Sequence, residues 1–353
     1  MANWPWRVSV RLVALAKKTG MVVGIVLVVL LAVRVYLSQQ GPELHPWHTW
    51  RADEMSVREL DNADFAGYLA REKAIFTDLD NAVTAKTAGE DQTPLNRYYR
   101  QSLVWPGQFA PDANRSFVLM PAGKPRGAVV LLHGLTDSPY SVRHLAVNYQ
   151  QHGFVAVVPR LPGHGTAPGA LTDVDWEMWL AATRLAVREA TRLTGNNVPL
   201  HLVGYSNGGA LAMKYALDAL EDPALRKPQQ MILLSPMIGV TSFARFAGFA
   251  GLPALLPPFA KAAWLNISPE YNPYKYNSFP VNSARQSWLL TKTLQEQIGR
   301  EARENRLANL PSVLAFQSVM DSTVSTRAVV SGLFDQLPAN GSELVVFDIN
   351  QAA

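Results

Sequence analysis

Cysteine is absent from the 353 residues. That excludes disulfides, a thiol nucleophile, thiolate-ligated zinc and a lipid-modified cysteine. Charge is scarce, at 17% of residues against 48% apolar ones. This balance excludes a disordered chain, and the length suits one large domain or two ordinary ones with a substantial core. A basic surface is missing as well. Lysine and arginine number 32 against 28 acids, but Arg7, Arg11, Lys17 and Lys18 stand together near the N-terminus, and without them the two signs balance. The excess belongs to the tail, so nucleic acid is not an expected partner. No phosphate-cradling glycine loop is present. His45 and His48, separated by a proline and a tryptophan, make too weak a pair for a metal site. No cofactor and no metal are expected.

What is present begins with an apolar run. Met21 to Val33 carries no charge; Arg34 interrupts, and Val35, Tyr36 and Leu37 continue. As a helix, residues 21–37 span roughly 25 Å, slightly short of the ~30 Å hydrocarbon core. Arg34 near one end is expected to snorkel to the headgroups. The reading is a basic tail over 1–20 and a single-pass membrane anchor over 21–37. The tail is cytoplasmic and the rest lies on the outer, periplasmic side. The competing reading is a signal peptide with secretion after cleavage, but no Ala-x-Ala site follows the run.

Residues 38–96 read as linker and amphipathic helices. The stretch 41–55 is linker-like, Ser56 and Glu59 match a capping box, and Leu60, Tyr68, Leu69, Ile75, Phe76 and Leu79 recur near helical spacing. From 97 to 353, short apolar runs alternate with helical stretches. Strands are expected at 128–132, 155–158, 200–203, 231–234, 313–316 and 344–347, with earlier ones at 98–105 and 115–120. Helices are expected near 140–151, 174–194, 208–221 and 325–336. Nearly continuous apolar strands alternating with helices imply an α/β fold, a mainly parallel sheet with helices on both faces. Residues 237–310 break the alternation. They show no convincing strand and many aromatic and leucine residues, among them Phe243, Phe246, Phe249 and Leu256, and read as a mostly helical insertion.

Gly204-Tyr205-Ser206-Asn207-Gly208 follows an expected strand and opens an expected helix. This is G-x-S-x-G in the context of a nucleophile elbow. So sharp a turn leaves no room for side chains at Gly204 and Gly208, and it lifts the Ser206 hydroxyl off the sheet edge above a helix N-terminus. His133-Gly134-Leu135-Thr136 ends another strand. The turn after that strand supplies an oxyanion donor in elbow folds, so the backbone N–H groups of Leu135 and Asn207 are the two candidates. His133 itself reads as structural. His164, in Leu161-Pro-Gly-His-Gly165, reads as a rigid loop element. Asp321 follows the strand ending near Phe316, where the acid of a Ser–Asp–His order belongs.

These motifs, with Asp175-Trp176, resemble the α/β-hydrolase family, and within it the branch of monoacylglycerol lipases, lysophospholipases and serine aminopeptidase-like hydrolases. The resemblance spans about 115 to 350, with 237–310 at the lid position. It implies an esterase or lipase-like enzyme acting on a small-molecule or lipid ester, with Ser206 as nucleophile and Asp321 orienting a histidine. That histidine is missing: the seven histidines are 45, 48, 133, 144, 152, 164 and 201, and none follows Asp321. The expectation is a chain lacking its C-terminal histidine loop and helix by truncation. The alternatives are an amide or peptide hydrolase of the same fold, for which Glu270 is the acid that could grip an amine, and a catalytically silent binding protein. Oligomeric state is not legible.

Overall fold

The computed structural model describes residues 4–239, 250–321 and 324–348, with side chains from residue 12 onward. Phe243, Phe246 and Phe249 of the expected insertion lie outside the described residues, as do Ser322 and Thr323 beside Asp321.

The apolar runs after residue 115 form one seven-stranded sheet. Its strands are β1 (Phe117–Leu119), β2 (Gly127–Leu132), β3 (Phe154–Val158), β4 (Leu200–Tyr205), β5 (Gln230–Leu234), β8 (Val313–Ser318) and β9 (Glu343–Phe347), in the order β1-β3-β2-β4-β5-β8-β9. β1 pairs antiparallel with β3 at one edge, and all other neighbours are parallel. The alternation along β2 shows why these strands are apolar throughout. Ala128, Val130 and Leu132 join the larger core cluster, while Val129 and Leu131 join the one on the opposite face, so both faces are covered. Helix α5 (Arg143–Gln151) covers the second face through Ala146. On the first face α6 (Trp176–Thr194) and α7 (Asn207–Glu221) contribute Trp179, Leu185, Leu211 and Met213.

Ahead of the sheet, α1 (Trp4–Gln39) is one helix that takes in most of the basic tail as well as the apolar run. Its stretch Leu12–Gln39 is long and apolar enough to cross a membrane or to be a signal sequence; 28 residues of helix measure about 42 Å. The Arg34 guanidinium donates to the Ala262 and Trp264 carbonyls of the segment between β5 and β8. The stretch that reads as linker is packed, not free. It contains α2 (Pro46–Thr49), and Trp47 and Trp50 are buried against Ile75, Leu79 and Tyr98. The Ser56–Glu59 capping box forms as expected and starts α3 (Val57–Asn62). Asp64 then caps α4 (Phe65–Ala82), which buries Phe65, Tyr68 and Ile75.

Two expectations are corrected. Residues 98–105 are a chain of turns, not a strand; Asn96 and Pro106, both turn formers, bracket them, and the side chains of Arg97, Tyr98 and Ser102 are buried. The segment between β5 and β8 is not strand-free. It holds a short ribbon, β6 (Trp264–Asn266) with β7 (Phe279–Pro280), ahead of α8 (Val281–Arg303). Runs of three and two residues are too short to register as periodicity. The last helix, α9 (Thr326–Gly332), starts at a Ser325 cap.

Candidate active site

The sheet order carries a topological switch. From β2 the chain crosses to β3 on one side and then to β4 on the other. In open parallel sheets the crevice at such a point, outside the carboxyl ends of the strands, is where ligands bind. The loops ending β2 and β4 are the two that carry the sequence motifs. Their register pairs Leu132 with Gly204, which brings His133-Gly134 beside Tyr205-Ser206. A Cβ placed on Gly134 would stand 3.5 Å from the Ser206 Cβ, so the turn after β2 and the serine are immediate neighbours.

Ser206 adopts φ +52°, ψ −114°, a strained conformation for a residue with a side chain. Backbone hydrogen bonds hold it there. Its N–H donates to Leu234 O (2.9 Å), and its carbonyl accepts from Gly209 (2.9 Å) and Met237 (3.0 Å). The glycines are required sterically: a Cβ on Gly204 would meet Gly208 O at 2.3 Å, and one on Gly208 would meet Leu132 O at 2.2 Å. Ser206 does not cap α7 with its side chain, so the hydroxyl is not spent on the helix below it. Asn207, first residue of α7, has a backbone N–H among those a helix cannot satisfy internally; Leu135 stands on the facing turn. Thr136 follows with φ +60°, and its carbonyl accepts from Tyr276 N–H (2.7 Å). Tyr276 also donates its hydroxyl to Gly163 O (3.0 Å), tying this turn to the 161–165 loop. Sequence reasoning did not single out Tyr276, and no local pattern marks it.

His133 and His164 lie on the same edge and are both fully buried. His133 Nε2 accepts from Leu161 N–H (3.0 Å), which leaves Nδ1 to donate to Gly134 O (2.9 Å). Burial, then the neighbouring His164, holds its pKa well below the usual histidine value. It is a neutral strut between two loops. His164 Nδ1 meets Pro162 O at 3.0 Å, and burial lowers its pKa to about 4. The other histidines stand elsewhere. His48 bonds Ser278 Oγ, His152 follows α5, and His201 sits near the start of β4 against Tyr149.

Asp321 follows β8 on the same carboxyl edge, one strand beyond β5 from the elbow. Its Oδ1 accepts from Val324 N–H (2.9 Å). Its charge reaches the elbow: the Tyr205 hydroxyl titrates above its ordinary value, first through burial and then through Asp137 and Asp321. Asp137, two residues after Leu135, is itself buried, with Ser138 N–H on Oδ1 (2.8 Å), and burial raises its pKa. Where the chain leaves β9 it does so beside this loop, with Val319 N–H on Phe347 O (2.9 Å). Glu270 is not a surface acid. It is buried, holds the Asn277 and Ser278 N–H groups (3.0 and 2.8 Å), and has a pKa raised by burial. Its oxygens are occupied within its own turn.

A family model described as serine aminopeptidase, S33, matches residues 123–346. A thermostable monoacylglycerol lipase of Bacillus sp. (strain H-257) is 34% identical over 89 residues, which cover 25% of this chain and 34% of that lipase. The match thus spans about a third of the relative's length. Among solved structures, one from work on LipS and LipT, two metagenome-derived lipolytic enzymes, aligns over 67% of this chain and 87% of its own, at 20% identity and TM-score 0.53. A soluble variant of monoglyceride lipase from Saccharomyces cerevisiae aligns over 66% and 81%, at 16% identity and TM-score 0.49. The likeness to the first is one of fold.

Proposed function

We propose a function from one premise: this chain belongs to the serine aminopeptidase, S33, family and has the α/β-hydrolase fold. It is a serine hydrolase of carboxylic esters, held at a membrane by α1, with its sheet domain on the outer side. The observation that carries the reading is Ser206 at φ +52° between two glycines that admit no Cβ, facing the β2 turn across the switch point. Ser206 Oγ attacks the ester carbonyl. The developing oxyanion lies between the Leu135 and Asn207 N–H groups, whose dipoles are set before the reaction begins. The acyl-enzyme then forms as the alcohol leaves, and water releases the acid. The attack requires an acceptor for the serine proton, and Asp321 is the acid on this sheet edge that would orient one; none of the seven histidines in the sequence follows it. The relatives, a monoacylglycerol lipase and lipolytic enzymes, favour an ester with an acyl chain. Amide hydrolysis is less favoured, because the acid that would hold a substrate amine, Glu270, is committed to backbone N–H groups.

Labelling of the membrane-extracted full-length protein with a fluorophosphonate probe tests this. Covalent modification at Ser206, with faster turnover of p-nitrophenyl acyl esters than of aminoacyl anilides, is the expected result. A second reading, a silent pocket that binds an apolar ester, is favoured by the want of a free imidazole beside Ser206. A folded sample that does not label would establish it over the first.

A further inference from the structure

Among the described residues two arginines are buried, and only one has partners to match. Arg160 meets both Glu54 oxygens (2.7 and 2.9 Å) and Glu72 (3.2 Å). Arg97 is 2% exposed and has no carboxylate bonded to it among the described residues. Its Nη atoms reach only the Lys275 and Gly165 carbonyls, each at 3.5 Å, and its Nε has no partner. The rings of Tyr98 and Tyr276 lie 5.6 Å from its Cζ. Glu270 is near enough to feel the charge, but its oxygens are spent on Asn277 and Ser278. Burying a guanidinium is unfavourable unless an anion meets it.

The place for that anion is open. Arg97 lines a cavity of about 470 Å³ between α4, the turns at 97–107 and the Gly165-Thr166 backbone, a volume suited to a small molecule. Phe76, Tyr98 and Trp105 form apolar walls. Two further arginines stand at the lining, each already neutralised: Arg100 by Asp80 (2.6 Å) and Arg115 by Asp112 (2.8 Å). Arg115 also lies over the Phe76 ring at 3.8 Å. The charge left over is that of Arg97.

We propose that this cavity binds a small oxyanion, a phosphate or a carboxylate, carried on a flat apolar body. The oxyanion meets the Arg97 guanidinium and the body packs against Tyr98 and Trp105. The site uses none of the residues assigned to ester cleavage, so its fate is independent of that assignment. Calorimetry and thermal unfolding of the detergent-solubilised chain test it, with phenyl phosphate and benzoate as probes. Both should bind saturably and raise the unfolding temperature, whichever of them is the tighter giving the oxyanion type. Inorganic phosphate should bind more weakly and benzyl alcohol not measurably. Arg97→Gln should weaken the tighter probe at least about tenfold. Arg100→Glu, an exposed change at the mouth that leaves Arg97 in place, should weaken it severalfold through the field alone and decides the matter should Arg97→Gln not fold. No saturable binding to the wild-type chain, equal binding of benzyl alcohol, or affinity unchanged in the folded variants would overturn the proposal.

Discussion

The elbow at 204–209 and the loop at 160–166 lie on the same edge of the sheet and are held by opposite means. The elbow contains no charge. It is held by backbone pressed against backbone, Gly204 on Gly208 and Gly208 on Leu132, and by main-chain hydrogen bonds from β5 and its following turn. The loop is held by charge. Arg160 anchors it to Glu54 and Glu72, Gly163 N–H donates to Glu54 (2.7 Å), and Ser116 Oγ, itself bonded to Glu72, takes the Arg160 N–H (2.7 Å). The elbow's contacts are main chain on main chain, whereas the loop is fastened by side-chain partners 44 to 109 residues away. A strained turn tolerates no give, and backbone contact is stiff. A loop fastened by ion pairs brings a distant segment, α2 to α4, into the same structure.

The sharpest break is chemical. Ser206→Ala should abolish fluorophosphonate labelling and bring ester turnover to background, a loss on the order of 10⁶-fold where the acyl-transfer machinery is complete. Labelling that survives would remove this hydroxyl from the reaction. Next comes the elbow's stiffness. Gly208→Ala puts a methyl 2.2 Å from the Leu132 carbonyl, with nothing flexible to yield. We expect about 4 kcal/mol or more of destabilisation in denaturant unfolding. The loop should break more gently. Glu54→Gln keeps the shape but removes the charge opposite Arg160, while Glu72 remains. A loss of about 2–3 kcal/mol is expected, and a loss as large as that of Gly208→Ala would erase the contrast between the two regions.

The same contrast explains what could be read from the sequence. Gly204, Ser206 and Gly208 announce themselves because the steric need is local and falls on a strand followed by a helix. The parallel core was legible because β2 to β5 are apolar on both faces. Arg160 and its two glutamates were invisible, since nothing near Glu54 or Glu72 in sequence says that each will lose its water to a guanidinium. Arg97 was hidden differently: the aromatic pair Tyr98-Tyr99 and the apolar run Leu103-Val104-Trp105 imitate a strand, and the turns that bury Tyr98 and Ser102 override it. Trp47 and Trp50 read as linker because their partner, Tyr98, lies outside the segment. The contacts of Arg34 were hidden for the same reason. Its acceptors are the carbonyls of Ala262 and Trp264, more than two hundred residues on.

The smallest effect sharpens the comparison from the side of the charged region. His48 and His164 are buried and neutral, with burial lowering their pKa values to about 3 and about 4. In the unfolded chain each titrates near 6.5. Between pH 6.5 and about 4 the unfolded state therefore binds protons that the folded state refuses, and stability falls as pH falls. At pH 7 and above the contribution is fully present. Each histidine should cost about 1.4 kcal/mol per pH unit through this window. His48→Gln, which can keep the Ser278 contact (3.0 Å in the wild type) without titrating, should flatten the decline in unfolding temperature from pH 6.5 to 5 by one histidine's share. The elbow residues carry no side chain that titrates in this range, whereas His133 and His164 both hold the 160–166 loop and His48 the 44–54 segment, so acid should loosen that segment and that loop first. Hydrogen exchange at pH 5 should show those amides opening while Ser206 and Gly209 remain protected; simultaneous opening of both would mean that the two regions share one cooperative unit.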